Sequence, residues 1–399
     1  MPMSYSQPPP FTWQSITPRR PLPVFPPPQP LSAPPLPSAA RQPIFSTPYA
    51  LSSHIFPAAH LRTTDYTPVP PTPPGDAPKA ERQALAEKAA QKLKDLRVSL
   101  EPHGSKQVLW NCANRYFRRD AQGNGITLFI AHANGFPKEI WEPFLGHLLS
   151  SPAASAIDEV WTWESVQHGD ACLINGDKIG AVFDWTDNAR DILNFLIYFL
   201  PNEASSASLP THLVRIPSDE SEYRKSNPFR QRTLVAVGHS YGGCTSALAA
   251  LTQPKLFSSI ILIDPVIVKP TGHLIHKSEH TDRLVVGAIL RRETWPSREE
   301  AFDILKKSPF FGAWDPAVLK IYIECGTYDT IDPATGKSVI RLKMPGIQEG
   351  IVFSETHTEF EVFERLPTLN ERIELRWVMP GKPGAGEYVQ ICPRAGTRD

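Results

Sequence analysis

The 399-residue chain predicts an α/β protein, with a mostly parallel central sheet, helices on both faces and an inserted helical cap. Three observations carry that expectation. Short apolar, β-branched runs alternate with stretches of helical spacing. Four of the runs end in residues that bear chemistry, at His132–Phe136, Glu164–Asp170, Ser240 and Asp264. One run, Thr233–Val237, passes through Gly238-His239-Ser240-Tyr241-Gly242 straight into an Ala/Leu-rich helix.

In chain order, residues 1–79 hold more than half of the 43 prolines and no acidic residue before Asp65. Proline at that density lacks the amide donors that helices and sheets need, so a disordered, partly polyproline-II arm is expected. Its Pro-x-x-Pro steps could dock proline-binding modules, although an unselective tail is the plainer reading. Residues 80–104 change to Ala, Glu, Lys, Gln and Leu, predicting an exposed helix and linker. The core is expected over 105–265. A first strand or hairpin is read at Gln107–Phe117, strands at Ile126–Ala131, Val160–Trp163 and Phe257–Ile263, and helices at Lys138–Leu149 and Ala189–Leu200. After Asp264 the alternation stops, and 266–350 reads as a largely helical cap. Residues 351–399 complete the core, with a strand over Arg372–Met379.

Composition excludes several function classes. The 41 basic and 41 acidic residues cancel, leaving neither a nucleic-acid footprint nor a polybasic membrane patch. No apolar run approaches the roughly 20 residues of a membrane span. The N-terminus lacks a basic region followed by an apolar segment, so no secretory signal is expected. Five scattered cysteines without C-x-x-C spacing suggest reduced thiols and an intracellular, cytoplasmic protein. No metal or cofactor is implied, and the oligomeric state is left open.

Gly238–Gly242 fits G-x-S-x-G in the strand–turn–helix setting that a nucleophile elbow requires. The glycines let strand and helix approach each other, and the serine is lifted towards the helix N-terminus, which favours developing negative charge. Ser240 is therefore the candidate nucleophile. The backbone N–H of Tyr241 is one candidate oxyanion donor and the backbone of Asn134, in His132-Ala133-Asn134-Gly135, the second. The acid is Asp264 or Asp329. Asp264 directly follows the next strand, whereas Asp315-Pro316 starts a helix that makes Ala317–Cys325 a poor strand, which favours Asp264. Triad order places the base after the acid, leaving His273, His276, His280 and His357. His357 is the best of these, since the first three fall in the cap.

These residues together resemble the α/β-hydrolase superfamily from about Val108 to Gly386, and within it fungal acyl-CoA hydrolases of mycophenolic acid and host-selective toxin type. His-Ala-Asn-Gly-Phe-Pro-Lys-Glu-Ile-Trp (132–141), Gln-His-Gly-Asp (167–170), the Phe183–Leu193 segment, Gly-His-Ser-Tyr-Gly-Gly (238–243) and Ile-Asp-Pro (263–265) carry the resemblance. It implies a serine hydrolase acting on a small-molecule carboxylic ester or acyl thioester, with Asp264 as the acid. Two departures stand out. Peroxisomal members end in a Ser-Lys-Leu-like tripeptide, whereas this chain ends Thr-Arg-Asp, which does not support import by that signal. The Gly-x-His turn of relatives is missing after 373–379, as in a truncated or mis-spliced C-terminus. The alternative expectation is a non-catalytic protein that keeps the binding pocket without a working histidine.

Overall fold

The computed structural model describes residues 15–29, 31–98, 104–121, 123, 125–270 and 279–379. Seven strands form the main sheet: β1 (Tyr49–Pro57), β2 (Trp110–Arg118), β3 (Ile126–Ala131), β4 (Ile157–Glu164), β5 (Thr233–His239), β6 (Ser259–Ile263) and β10 (Glu374–Val378). Their spatial order is β1-β2-β4-β3-β5-β6-β10. Strand β2 runs antiparallel to both of its neighbours, and all other pairings are parallel.

The central strands β3, β5 and β6 read as near-continuous apolar runs because both faces of the sheet are covered. Alternate residues enter two different cores. Phe129, Trp161, Trp163, Leu234, Ala236, Ile260 and Leu262 point to one side. They meet α1 (Lys79–Val98), α4 (Trp185–Tyr198), α6 (Tyr241–Thr252) and α12 (Thr358–Arg365). Leu128, Ile130, Val160 and Val237 point to the other, against α2 (Glu142–Leu148) and the cap. Short helices α3 (Gly169–Asn175) and α5 (Ser218–Arg224) complete the core domain.

The cap is largely helical, as expected. It carries α7 (Glu279–Leu290), α8 (Arg298–Lys306), α9 (Pro309–Gly312), α10 (Pro316–Gly326) and α11 (Gly346–Phe353). It also holds a three-stranded antiparallel sheet of β7 (Thr294–Trp295), β9 (Ser338–Leu342) and β8 (Thr327–Ile331). Helix α10 starts as expected, with the Asp315 carboxylate accepting from the Ala317 N–H at 2.7 Å and proline at the first position.

The proline-rich arm differs most from expectation. Residues 1–14 and 30 of the expected arm lie outside the described residues, while 15–29 and 31–57 are laid over the domain instead of extending as a disordered tail. Between Pro48 and Pro57 lies an eight-residue window free of proline, and β1 uses it to pair with β2 along its whole length. Ile55 and Phe56 are wholly buried. The remaining arm is fastened by polar groups. Arg19 bonds Glu361 at 2.6 Å and Asp184 at 2.6 Å, Arg41 pairs with Glu142, and Ser38 bonds Asp170 at 2.6 Å. Prolines remove donors from a strand but leave carbonyls free to accept. Here the Leu22, Pro23 and Pro34 carbonyls accept from Arg190 and His212. Helix α1 is likewise half integrated, with Ala86, Ala89 and Leu93 buried.

Candidate active site

The site forms at the carboxyl ends of β3, β4, β5 and β6, where ligands bind in sheets of this kind. Ser240 sits between β5 and α6 with φ 54° and ψ −122°. It is one of two non-glycine residues with positive φ among those described; the other is Asp264, at φ 40°. Backbone of this kind costs of order 1–3 kcal/mol and persists only where the surroundings enforce it. The surroundings here are glycine. A Cβ on Gly238 would lie 2.6 Å from the Gly242 carbonyl oxygen, and one on Gly242 would lie 2.3 Å from the His132 carbonyl oxygen. Strand, elbow and helix are therefore in direct backbone contact.

The Asp264 turn is sewn to the elbow. The Ser240 N–H donates to the Ile263 carbonyl at 3.0 Å, and the Val266 N–H donates to the Ser240 carbonyl at 3.1 Å. The Asp264 N–H donates to Val378 at the end of β10, at 2.8 Å. Ser240 is half-buried and Asp264 exposed at the rim. Tyr241 opens α6, where a helix leaves its first N–H groups unpaired, and its ring is buried.

The Asn134 loop lies on the other side of the elbow, against Gly242. Two buried imidazoles back it. His132 Nδ1 donates to the Ala133 carbonyl at 2.7 Å, while its Nε2 accepts from the Ser165 N–H at 3.2 Å. His168 lies between the Ser165 hydroxyl, at 2.6 Å, and the Asn134 side-chain oxygen, at 3.1 Å. Burial lowers the pKa of His132 to about 4 and that of His168 well below the ordinary value. His239, next to the nucleophile position, is lowered by burial and partly restored by Asp264. Its ring meets Phe136 and Trp141. Phe136 in turn packs edge-on against Trp314 of the cap, at 5.1 Å.

Ser240, Tyr241, Asp264 and the Asn134 loop are thus gathered at one rim, and His357 is not joined to them. It precedes α12, its side chain 37% exposed, with Nδ1 3.9 Å from Glu355. Burial and the nearby Arg97 and Arg19 lower its pKa, against the pull of Glu355 and Glu361. Among the described residues no hydrogen bond or ion pair links it to Ser240 or Asp264. His273 and His276 lie outside the described residues, and His280 is exposed in α7. Asp329 lies in β8, 70% exposed and paired with Arg298 at 2.9 Å, away from the elbow.

A buried charge cluster behind the Asn134 loop escaped the sequence reading. Lys138 reaches Asp170 at 2.7 Å, Glu139 at 3.0 Å and Glu164 at 3.3 Å, and Lys343 of the cap reaches Asp170 at 2.7 Å. Burial, opposed by Lys138 and reinforced by Asp170 and Glu139, lifts Glu164 to about 7. The signal was present in Pro-Lys-Glu at 137–139 and Gln-His-Gly-Asp at 167–170, motifs quoted for their resemblance without a role.

No family model matches the chain. The solved structure of the peroxisomal α/β-hydrolase Lpx1 from Saccharomyces cerevisiae superposes with a TM-score of 0.53 at 18% identity, covering 84% of this chain and 83% of that one. The chain has the α/β-hydrolase fold. In sequence the chain is similar to the type I acyl-CoA thioesterase mpaH of Penicillium brevicompactum, 28% identical over 178 residues, which are 45% of this chain and 35% of that protein. It is also similar to the peroxisomal membrane protein LPX1 of Saccharomyces cerevisiae, 30% identical over 153 residues, 38% of this chain and 33% of that one. The alignments span about a third of the length of these curated relatives. The resemblance read from the motifs stands. No helix among the described residues is long and apolar enough to cross a membrane.

Proposed function

We propose that the chain is a serine hydrolase that cleaves a small-molecule carboxylic ester or acyl thioester through an acyl-enzyme. The observation that carries this reading is the strained backbone of Ser240 at the N-terminus of α6. A strained, half-buried serine at a strand–helix turn is what a nucleophile elbow requires, which supports the reading. Ser240 Oγ attacks the carbonyl, and a histidine takes its proton. The oxyanion is received by the Tyr241 and Asn134 backbone N–H groups. Asp264 orients the imidazolium, and water then releases the acid. The thioesterase name of one relative supports the thioester branch of the substrate class. No cofactor or metal enters this scheme.

His357 is the candidate base. Its placement beside Glu355, Arg97 and Arg19 favours a second reading, a binding protein that keeps the pocket without a base. Labelling with a fluorophosphonate probe separates the two. The hydrolase labels, Ser240→Ala abolishes labelling, and His357→Ala slows it at least 100-fold. A folded wild-type chain that never labels sinks the first reading in favour of the second.

A further inference from the structure

The serine-hydrolase reading leaves His168 without a part, although it is wholly buried at the rim. We propose that His168 is a positioning residue, which holds the oxyanion-binding loop through the Asn134 amide and ties that loop to cap helix α11.

The proton positions follow from the partners. Asn134 Nδ2 donates to the Glu349 carbonyl of α11 at 3.0 Å. A carbonyl can only accept, so the amide is oriented with Oδ1 towards His168. His168 Nε2 therefore carries the proton and donates to Oδ1 at 3.1 Å, and Nδ1 accepts from the Ser165 hydroxyl. His132 is the opposite tautomer, because its Nε2 accepts from a backbone N–H while Nδ1 faces a carbonyl. Both rings are neutral, as their lowered pKa values require. His168 faces His132 at 4.4 Å and the stacked ring of Tyr241 at 5.9 Å, with no carboxylate among the described residues to hold a charge on it. His132 faces Lys138, Glu139 and His239, and burial dominates.

These bonds act on one peptide unit. The Ala133 carbonyl accepts from His132 Nδ1 at 2.7 Å and from the Phe136 N–H at 3.3 Å. The unit is planar, so pinning its C=O fixes the direction of the Asn134 N–H on the opposite edge. His168 then locks the Asn134 side chain, preventing the residue from rotating about that plane. Glu349 does the same from the cap, and its carboxylate lies against Gly135 and pairs with Arg291. A cap that shifts must pull on the Asn134 amide.

This inference rests on the hydrolase reading, and its test separates the two. His168→Gln can still donate to Asn134 and accept from Ser165, whereas His168→Leu can do neither. With 4-nitrophenyl acetate and the fluorophosphonate probe, His168→Leu and Asn134→Ala should lose roughly 10- to 100-fold in kcat and labelling rate with KM nearly unchanged. That is less than the 10²–10³ of a donor removed outright. His168→Gln should restore most of it. A folded His168→Leu that labels at the wild-type rate overturns this inference alone, and a wild type that never labels overturns both. Should His168→Leu fail to fold, imidazole ¹⁵N spectra of the wild type decide. His168 must be a neutral Nε2–H tautomer from pH 5 to 9, and titration or an Nδ1–H tautomer in that range refutes the proposal.

Discussion

Truncating Phe56 asks whether the proline-rich arm belongs to the folded domain. Phe56 is wholly buried at the end of β1, its ring 5.0 Å from Phe195, 5.6 Å from Phe199 and 5.7 Å from Trp163. Replacing a buried phenylalanine by alanine costs about 3–5 kcal/mol, and three aromatic neighbours place this site near 4 kcal/mol. Phe25 lies on the same arm but is 51% exposed, with Lys225 over its ring at 5.4 Å. Phe25→Ala should therefore cost at most about 1 kcal/mol. Urea unfolding followed by tryptophan fluorescence measures both. The Phe56→Ala midpoint should fall sharply with an unchanged slope, while that of Phe25→Ala stays near wild type. Equal midpoints for the two variants would mean that residues 49–57 contribute nothing to the sheet, and the structural role of the arm would be lost.

Gly242→Ala places a methyl 2.3 Å from the His132 carbonyl and 2.9 Å from Ala131, both backbone atoms that cannot turn aside. It should cost about 3 kcal/mol and abolish fluorophosphonate labelling. Gly287→Ala, on an open face of α7, should instead stabilise by about 0.5–1 kcal/mol, and urea midpoints moving the same way would refute the elbow packing. Asp264→Asn should reduce labelling by roughly 10³–10⁴-fold, the scale of a lost orienting carboxylate, whereas Asp329→Asn should leave it unchanged. The reverse pattern would reassign the acid. Glu164, lifted to about 7, keeps its proton in the folded state between pH 4.5 and 7, where the unfolded chain has released it. Its contribution to stability is full below 4.5 and declines as pH rises to 7, by about 3 kcal/mol in all. Glu164→Gln should remove that slope, and parallel stability–pH curves for the two proteins would contradict it.

The parts legible in the sequence were those in which one residue type serves one geometric need. The elbow required glycine at 238 and 242, and the clashes a Cβ would meet at both show why. The start of α10 was readable from Asp315-Pro316 because capping is local. Strand β1 was obscured because composition was averaged over 79 residues, and the averaging hid eight without proline. Its backbone pairs with β2, some 60 residues later, a pairing that local pattern does not encode.

The charge cluster and the imidazole pair were hidden for a different reason. Lys138, Glu164, Asp170 and Lys343 read singly as exposed residues, and burial of such groups is tolerable only when all are assembled. Burial lifts Glu164 to about 7, and the one negative charge in excess when Glu139, Glu164 and Asp170 face two lysines reinforces that rise. The same logic governs His132 and His168. Each would be an isolated buried cation if protonated, so each must be neutral, and neutrality gives each ring one donor and one acceptor. That pairing lets Ser165 serve both rings at once, with its N–H for His132 and its hydroxyl for His168. The rigidity of the Asn134 loop therefore comes from groups that composition alone assigns to solvent.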